Sequence, residues 1–368
     1  MSNKSNLKKF LSRLIGFLDY KISLLARWLV PIYKSIISVG FFKVLNLIFY
    51  KKKLPTDNKY AVLRWKYYSS NSTEDSTEKI QLEDTLEKFT GQKICSIFYE
   101  DLHASPFSDL GLIRFCIQNK ITHLIVSSWS EDMISSPSKN TFNFLRDKFG
   151  IKIYGIWWDS CFIGFSKILE SIFKYMDMHI IIDNPNGLLL TDEQLYNDRI
   201  KRLWCPQNEK FFYPVLNKDI NVSFQGQASA YRGYRKKTID YLQDKNVAGY
   251  FSLANRSIQN SHVDYAKITR QSKCVINFSY SVDCEQLKSR VFEAFFSGSL
   301  LFESSNRQIE AYFEPYVDFI PFSSEVDLLE KINYYITRPD KLKKISSNAN
   351  LKSLKNYSSD KFWEAVFS

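Results

Sequence analysis

What most constrains this chain is a repeated alternation. After a strand-like run at 60–65 and a polar loop at 69–79, short apolar runs alternate with helical stretches from Ile94 onward, and the series runs twice. The first series gives strand-like runs at 60–65 (YAVLRW), 94–100, 122–129, 151–159 and 178–184. Helical stretches at 110–119, 138–150 and 164–176 lie between them. The second gives strands at 219–226, 247–253, 273–279, 299–304 and 317–323, with helices at 232–245, 262–272, 284–298 and 308–315. Three further helices, 327–337, 339–356 and 360–366, end the chain. Buried strands each followed by a helix predict a parallel sheet covered on both faces, and such a sheet binds ligands at the carboxyl ends of its strands.

A chain of 368 residues exceeds what one hydrophobic core usually serves. We therefore expect two Rossmann-like, doubly wound lobes, over 54–205 and 218–368, with a ligand cleft between them. No GxGxxG follows a strand, so the dinucleotide fingerprint of a dehydrogenase is absent.

The charge is unevenly placed. Residues 1–53 hold eleven Lys or Arg and one acid, Asp19, for +10 of the net +11. The nearly neutral body argues against a nucleic-acid binder, which needs its cations on the folded surface. The segment 1–53 is a helical, amphipathic basic arm. Its longest uncharged stretch, Ser35 to Phe42, is eight residues, too short for a membrane span. No cleavable signal peptide fits either. Two main readings stay open: the arm lies on an anionic membrane surface, or it packs on the body or a second protomer. A tilted span over 28–50 is a minor third. The six cysteines show no CxxC spacing, which favours reduced thiols in a cytoplasmic protein.

The most informative stretch is EQLKSRVFEAFFSGSLLFES at 285–304. Glu285 and Glu293 flank Lys288 and Arg290. Carboxylates can accept hydroxyl hydrogen bonds while cations and free helix N–H groups hold a diphosphate. The plain alternative is an amphipathic helix with self-paired charges.

In context, this run resembles the C-terminal lobe of retaining GT-B fold glycosyltransferases, and more narrowly their CgeB-like, glycosyltransferase group 1 branch. RLWCPQNEKFFYP, VSFQGQASAYRGYRKKTIDYL, HVDYAKITRQSKCVINFS and YFEPYVDFIPF follow that branch in order and spacing over about 203–365. The resemblance implies transfer of a sugar from a nucleoside-diphosphate sugar, and the basic arm suggests a glycan, lipid-linked or envelope polysaccharide as the acceptor. The resemblance also implies that Glu293 binds the ribose, that Glu285 lies near the donor sugar, and that Lys288 and Arg290 serve the diphosphate. Gly226, Arg232 and Arg235 match the loop that opens the lobe and approaches the phosphates. Ser289 stands where a glycine often follows the lysine, and the glycine loop is reduced to Gly226.

No DxD-like motif is present, and Asp183 and Asp192 stand apart, so the expectation is metal-independent transfer without a cofactor. In the N-terminal lobe His103 sits in a loop after a strand, as a catalytic group or a solvated histidine. Asp159 is either a site residue or a helix N-cap, and Trp157 and Trp158 either stack on a ligand or fill the core. His262, Asn184 and Asn186 read as cap and turn residues. A non-catalytic GT-B-like nucleotide- or glycan-binding protein is the alternative function.

Overall fold

Strands that are buried along most of their length pair in parallel to form two sheets. The structure, a computed structural model, describes residues 29–30, 32–48, 57–67, 75–102, 107–227, 233–253, 261–280 and 283–368. The strands are β1 (Tyr60–Arg64), β2 (Cys95–Phe98), β3 (His123–Ser127), β4 (Lys152–Trp157), β5 (Met178–Ile181), β6 (Ile200–Arg202), β7 (Ile220–Gln225), β8 (Gly249–Ser252), β9 (Ser272–Asn277), β10 (Leu300–Ser304) and β11 (Ile320–Phe322). The helices are α1 (Ser38–Ile48), α2 (Asp84–Thr90), α3 (Phe107–Gln118), α4 (Lys139–Phe149), α5 (Phe165–Ile172) and α6 (Asp192–Leu195). They continue as α7 (Gly233–Asp244), α8 (His262–Gln271), α9 (Ser289–Phe296), α10 (Glu325–Ile336), α11 (Pro339–Asn356) and α12 (Ser359–Phe367). The sheet orders are β2-β1-β3-β4-β5-β6 and β11-β10-β9-β7-β8. The chain is α/β with two parallel, doubly wound sheets, as the sequence predicts.

The chain divides into two compact units. The first holds the described residues up to Lys66, with Cys95–Gly155 and Ile172–Asp177. Its β1 pairs in parallel with β2 and β3 and is buried along Ala61, Val62 and Leu63. The described part of the basic arm packs on this unit. Tyr33 Oη donates to Asp109 Oδ2 at 2.8 Å, and Asp109 also receives Ser138 N and Thr141 Oγ1 at the start of α4. Lys34 is buried and donates to the carbonyls of Glu131 and Met133 at 2.8 and 2.6 Å. Over these residues the arm is a packed helix with Lys34 turned inward and Lys43 exposed. Residues 1–28 lie outside the described ones. Among the described residues no helix is long and apolar enough to cross a membrane.

The second unit holds Tyr67–Ile94, Ile156–Ser171 and Met178–Ser368. In β7, Val222 and Phe224 enter the core with Ile239, Leu242, Ile276, Phe302 and Ile320. The alternate residues are polar: Ser223 receives a hydrogen bond from Ser272 Oγ, and Gln225 donates to Tyr265 O. Helix α9 is apolar around most of its girth, with Val291, Phe292, Ala294, Phe295 and Phe296 all buried. Lys218 Nζ bridges Arg270 O at the end of α8 and Ser297 O after α9. Burial pushes its ammonium down to about 8. Gly298 takes φ 66° to turn the chain into β10, where a Cβ would lie 3.2 Å from Pro214. The last helix packs on α2, with Trp363 fully buried and its Nε1 on Thr85 Oγ1 at 3.0 Å.

Several elements differ from expectation. The stretch 308–315 holds only a 3-10 turn at Ile309–Ala311. The neighbours Tyr312 and Phe313 both face Phe292 and Tyr357, a placement that successive helical residues, 100° apart, do not share. Helix α9 starts at Ser289 rather than 284, because Lys288 is extended at ψ 149°. Helix α2 and strand β6 were not legible. The first follows a polar stretch, and the second has only three residues, IKR, with charge at two of them.

Candidate functional site

Strand β7 pairs with β8 on one side and β9 on the other, all parallel. The chain leaves β7 for β8, then crosses back to form β9. Crossovers that depart in opposite directions leave a crevice at the carboxyl ends of the two strands between them. Those ends are Gln225 with Gly226, and Asn277.

Arg290, in the first turn of α9, lies over both ends. Its Nη1 donates to Asn277 Oδ1 at 2.8 Å, and its Nη2 donates to the Gln225 carbonyl. The guanidinium is 5.4 Å from the centroid of the Phe224 ring, a cation–π arrangement. Gly226 permits the approach: a Cβ there would meet Phe224 Cζ at 2.8 Å and Arg290 Nη2 at 3.3 Å. Lys288, the extended residue before α9, donates to Asp159 Oδ1 at 2.6 Å. Two cations therefore stand at the N-terminal end of a helix that itself favours anions.

Glu293 sits one turn further along, 4% exposed, and receives Tyr265 Oη at 2.5 Å. Arg290 Nε reaches the same hydroxyl at 3.3 Å. Burial raises the Glu293 carboxyl, against the Tyr265 bond and the Arg290 charge that hold it down. Burial also works against the Arg290 charge, but Tyr265, Glu293 and Glu303 keep its pKa above the ordinary arginine value. The Tyr265 phenol is raised by burial and by Glu293. Glu303, on β10 in register with Asn277, is wholly buried and receives Asn277 Nδ2 at 2.8 Å. Burial pushes it up to about 7, opposed by Ser279, Asn277, Asn306 and Arg290.

Glu285 and Glu293 take separate partners. Glu285 lies ahead of α9 and accepts from Arg307 N at 2.8 Å. Its neighbour Gln286 donates to buried Asp183 at 2.8 Å, and Leu287 N donates to the Asp183 carbonyl. Asp183 also receives Ser160 N and Oγ, and burial raises its carboxyl. Its role is thus to fasten the segment preceding α9. Asp159 is not a helix N-cap: α5 begins at Phe165, and Asp159 takes φ 48° and pairs with Lys288.

Arg235 is buried and donates from Nη2 to Phe278 O at 2.6 Å, just beyond β9, so it braces the rim of the crevice. Gly226, Arg290, Glu293 and Arg235 thus gather around the ends of β7 and β9. His103 and Arg232 lie outside the described residues. Trp157 is in the core, with Nε1 on His179 Nδ1 at 3.2 Å. His262 opens α8 behind its cap Ser261, and burial lowers its imidazole to about 4. Asn184 closes a turn onto Leu188 and Gly187. Asn186 binds Gln308 and Arg307.

Three polar residues of this crevice, Tyr265, Asn277 and Glu303, were not singled out from the sequence. Tyr265 reads as part of an amphipathic helix. Asn277 and Glu303 stand inside the apolar runs KCVINFS and SLLFES, where a polar residue facing a strand end was the available signal.

Residues 209–368 match the family described as glycosyl transferase-like. No curated protein matches the sequence. In structure the chain is similar to a sucrose-phosphate synthase from Thermosynechococcus elongatus, at 11% identity over 84% of this chain and 96% of that one, TM-score 0.57. It is similar to a glycosyltransferase from Rickettsia africae, at 12% identity over 84% and 98%, TM-score 0.57. The Anabaena protein HepE, solved with UDP-glucose, gives 10% identity over 84% and 98%, TM-score 0.57. Identities this low establish likeness of fold. Residues 209–368 are accordingly a glycosyl transferase-like region, in a chain built on the two-sheet GT-B glycosyltransferase fold.

Proposed function

We propose that the chain is a glycosyltransferase that moves a sugar from a nucleoside-diphosphate sugar to a glycan or lipid-linked acceptor. The observation that carries this reading is the position of Arg290 across the carboxyl ends of β7 and β9, with Glu293 one turn behind it. A diphosphate needs cations and helix N–H groups at such a crevice, and a ribose needs a carboxylate nearby. HepE, which shares the fold, is solved with UDP-glucose.

In this reading the leaving nucleoside diphosphate is neutralised by Arg290 and Lys288 together with the dipole of α9, so the departing charge meets fixed positive groups. Arg235 acts by holding the rim at Phe278. Transfer proceeds without a metal ion, and retention of the anomeric configuration follows from the resemblance to retaining enzymes. Glu285 stands at the donor-sugar side of the segment, and His103 is the candidate acceptor-side group. The CgeB-like branch is the narrower family we favour.

The arm adds a place of action. While Val30, Tyr33, Lys34 and Phe42 face inward, Leu29, Ile32, Ile37, Val39 and Val44 are exposed. With the basic charge of 1–53, this apolar face suits peripheral attachment to an anionic inner-membrane surface of a cytoplasmic enzyme. Replacing Ile37 and Val44 with Glu should release the protein from anionic vesicles.

The test of the enzyme is a screen of common nucleotide sugars for released nucleoside diphosphate, with UDP and GDP binding measured alongside. Release of one diphosphate, lost in Arg290→Lys, supports transfer. Binding without release under any donor and acceptor favours the non-catalytic nucleotide-binding alternative, and no binding of either nucleotide overturns the enzyme reading.

A further inference from the structure

Glu303 is a buried carboxyl that the proposed chemistry does not use. It lies near the carboxyl end of β10, between Asn277 of β9 and Pro321 of β11 in register, and has no exposed surface. Through Asn277 it is one hydrogen bond from Arg290, since Asn277 Nδ2 donates to Glu303 while Asn277 Oδ1 receives Arg290 Nη1. An asparagine amide relays both bonds only in the orientation that presents its oxygen to Arg290. Glu303 thereby fixes which way Asn277 points, and with it the seat of the guanidinium.

Two titratable groups among the described residues act on Glu303 or are acted on by it. Arg290 comes from α9 and Tyr280 from the segment after β9. Among the described residues, the neutral Asn277, Ser279 and Asn306 also stand beside it. On the far side of Arg290 stand Tyr265 and Glu293. Lys288 is held by Asp159 and Arg235 by the Phe278 carbonyl, so the guanidinium that Glu293 and Glu303 share is that of Arg290. An arriving diphosphate brings further negative charge to the same guanidinium. Like charge nearby favours the neutral form of an acid. Of the two carboxyls, Glu303 is better placed to respond, because burial already holds it at about 7 and Tyr265 donates to Glu293.

Resting on the donor-site reading above, we propose that Glu303 is a positioning residue for Arg290 that takes up a proton when the donor's diphosphate binds, so that the crevice accepts the anion without two unneutralised carboxylates beside it. The protonated carboxyl still accepts from Asn277 through its carbonyl oxygen, so Arg290 stays seated. A direct consequence is that nucleotide affinity falls as pH rises above about 7, where the proton must be drawn from an increasingly basic solution.

The experiment is calorimetric titration of the full-length protein with UDP and with GDP at pH 7.5, in buffers of different ionisation enthalpy. This counts protons exchanged on binding without any variant. We expect uptake of up to about three quarters of a proton per nucleotide, the fraction of a group of pKa about 7 that is ionised at this pH. We also expect Kd to weaken by up to about tenfold per unit between pH 8 and 9. Glu303→Gln keeps an acceptor for Asn277. It should bind within about threefold of the wild type at pH 7, with the excess uptake and the pH slope gone. Binding with no excess uptake, or a Glu303→Gln protein that keeps both uptake and slope, overturns this inference and leaves the donor site standing. Failure of both nucleotides to bind removes the donor site and this inference together.

Discussion

Arg290 Nη1 is 2.8 Å from Asn277 Oδ1, so a side chain of α9 is pinned to the end of β9 rather than left in solvent. With Nη2 on the Gln225 carbonyl, the guanidinium uses its planar fork across two strands. A lysine ammonium is a point charge and cannot span both. Arg290→Lys is expected to weaken UDP or GDP binding about tenfold to a hundredfold, the value of one or two charge-assisted hydrogen bonds. Calorimetry reads the affinity, and an unchanged Kd would deny Arg290 its phosphate role.

Gly226 is needed for space. A methyl there would press on the Phe224 ring at 2.8 Å and on Arg290 Nη2 at 3.3 Å. Gly226→Ala should therefore displace Arg290 and weaken nucleotide binding about tenfold, with a stability loss of about 1–2 kcal/mol from the crowded core. Denaturation and binding measured on the same preparation separate the two effects. A variant that is less stable but binds normally would show that the close approach serves packing alone.

Much of this was readable in the sequence, and the limits have physical causes. Strands β7 to β11 and the helices between them announce themselves because buried parallel strands are apolar along their length. Helix α11 was read at its observed bounds, since Pro339 sets its first turn. The pair Arg290 and Glu293 was singled out from spacing and family likeness. The lattice that positions them was not. Tyr265 arrives from a different helix, and Asn277 and Glu303 meet across a strand pair. Such meetings depend on tertiary register, which local periodicity does not encode. For the arm the sequence left packing on the body open, and the backbone carbonyls of Glu131 and Met133 that bring Lys34 inside are again a tertiary meeting.

Glu293 makes a claim about the sugar of the nucleotide rather than its phosphates. If its carboxylate binds the ribose, Glu293→Gln should weaken UDP or GDP at least about tenfold and leave inorganic pyrophosphate unaffected, since only the nucleotide has hydroxyls to offer. Equal losses for both ligands would mean that Glu293 acts only by balancing Arg290. Tyr265→Phe, which removes the hydroxyl between the two, should cost about 1–2 kcal/mol of stability because a buried carboxyl loses its donor.

Lys34 carries a stability prediction with a definite sign. Burial lowers its ammonium from 10.5 to about 8 in the folded chain. Between those values the unfolded chain binds more protons than the folded one, so this group makes the fold more stable as pH rises. Confining the measurement to pH 8–9.5 keeps it below the range in which unfolded tyrosines ionise. Over that range the contribution grows by up to about 1.4 kcal/mol per pH unit. Lys34→Met removes both hydrogen bonds to Glu131 and Met133 and should cost about 2 kcal/mol or more near pH 7. The difference between wild type and variant should then widen toward pH 9.5. Urea denaturation at several pH values reads this directly. A difference that stays flat would mean that Lys34 titrates alike in the folded and unfolded chains, and so that the helical turn Tyr33–Ile37 ahead of α1 does not hold it inside as the structure has it.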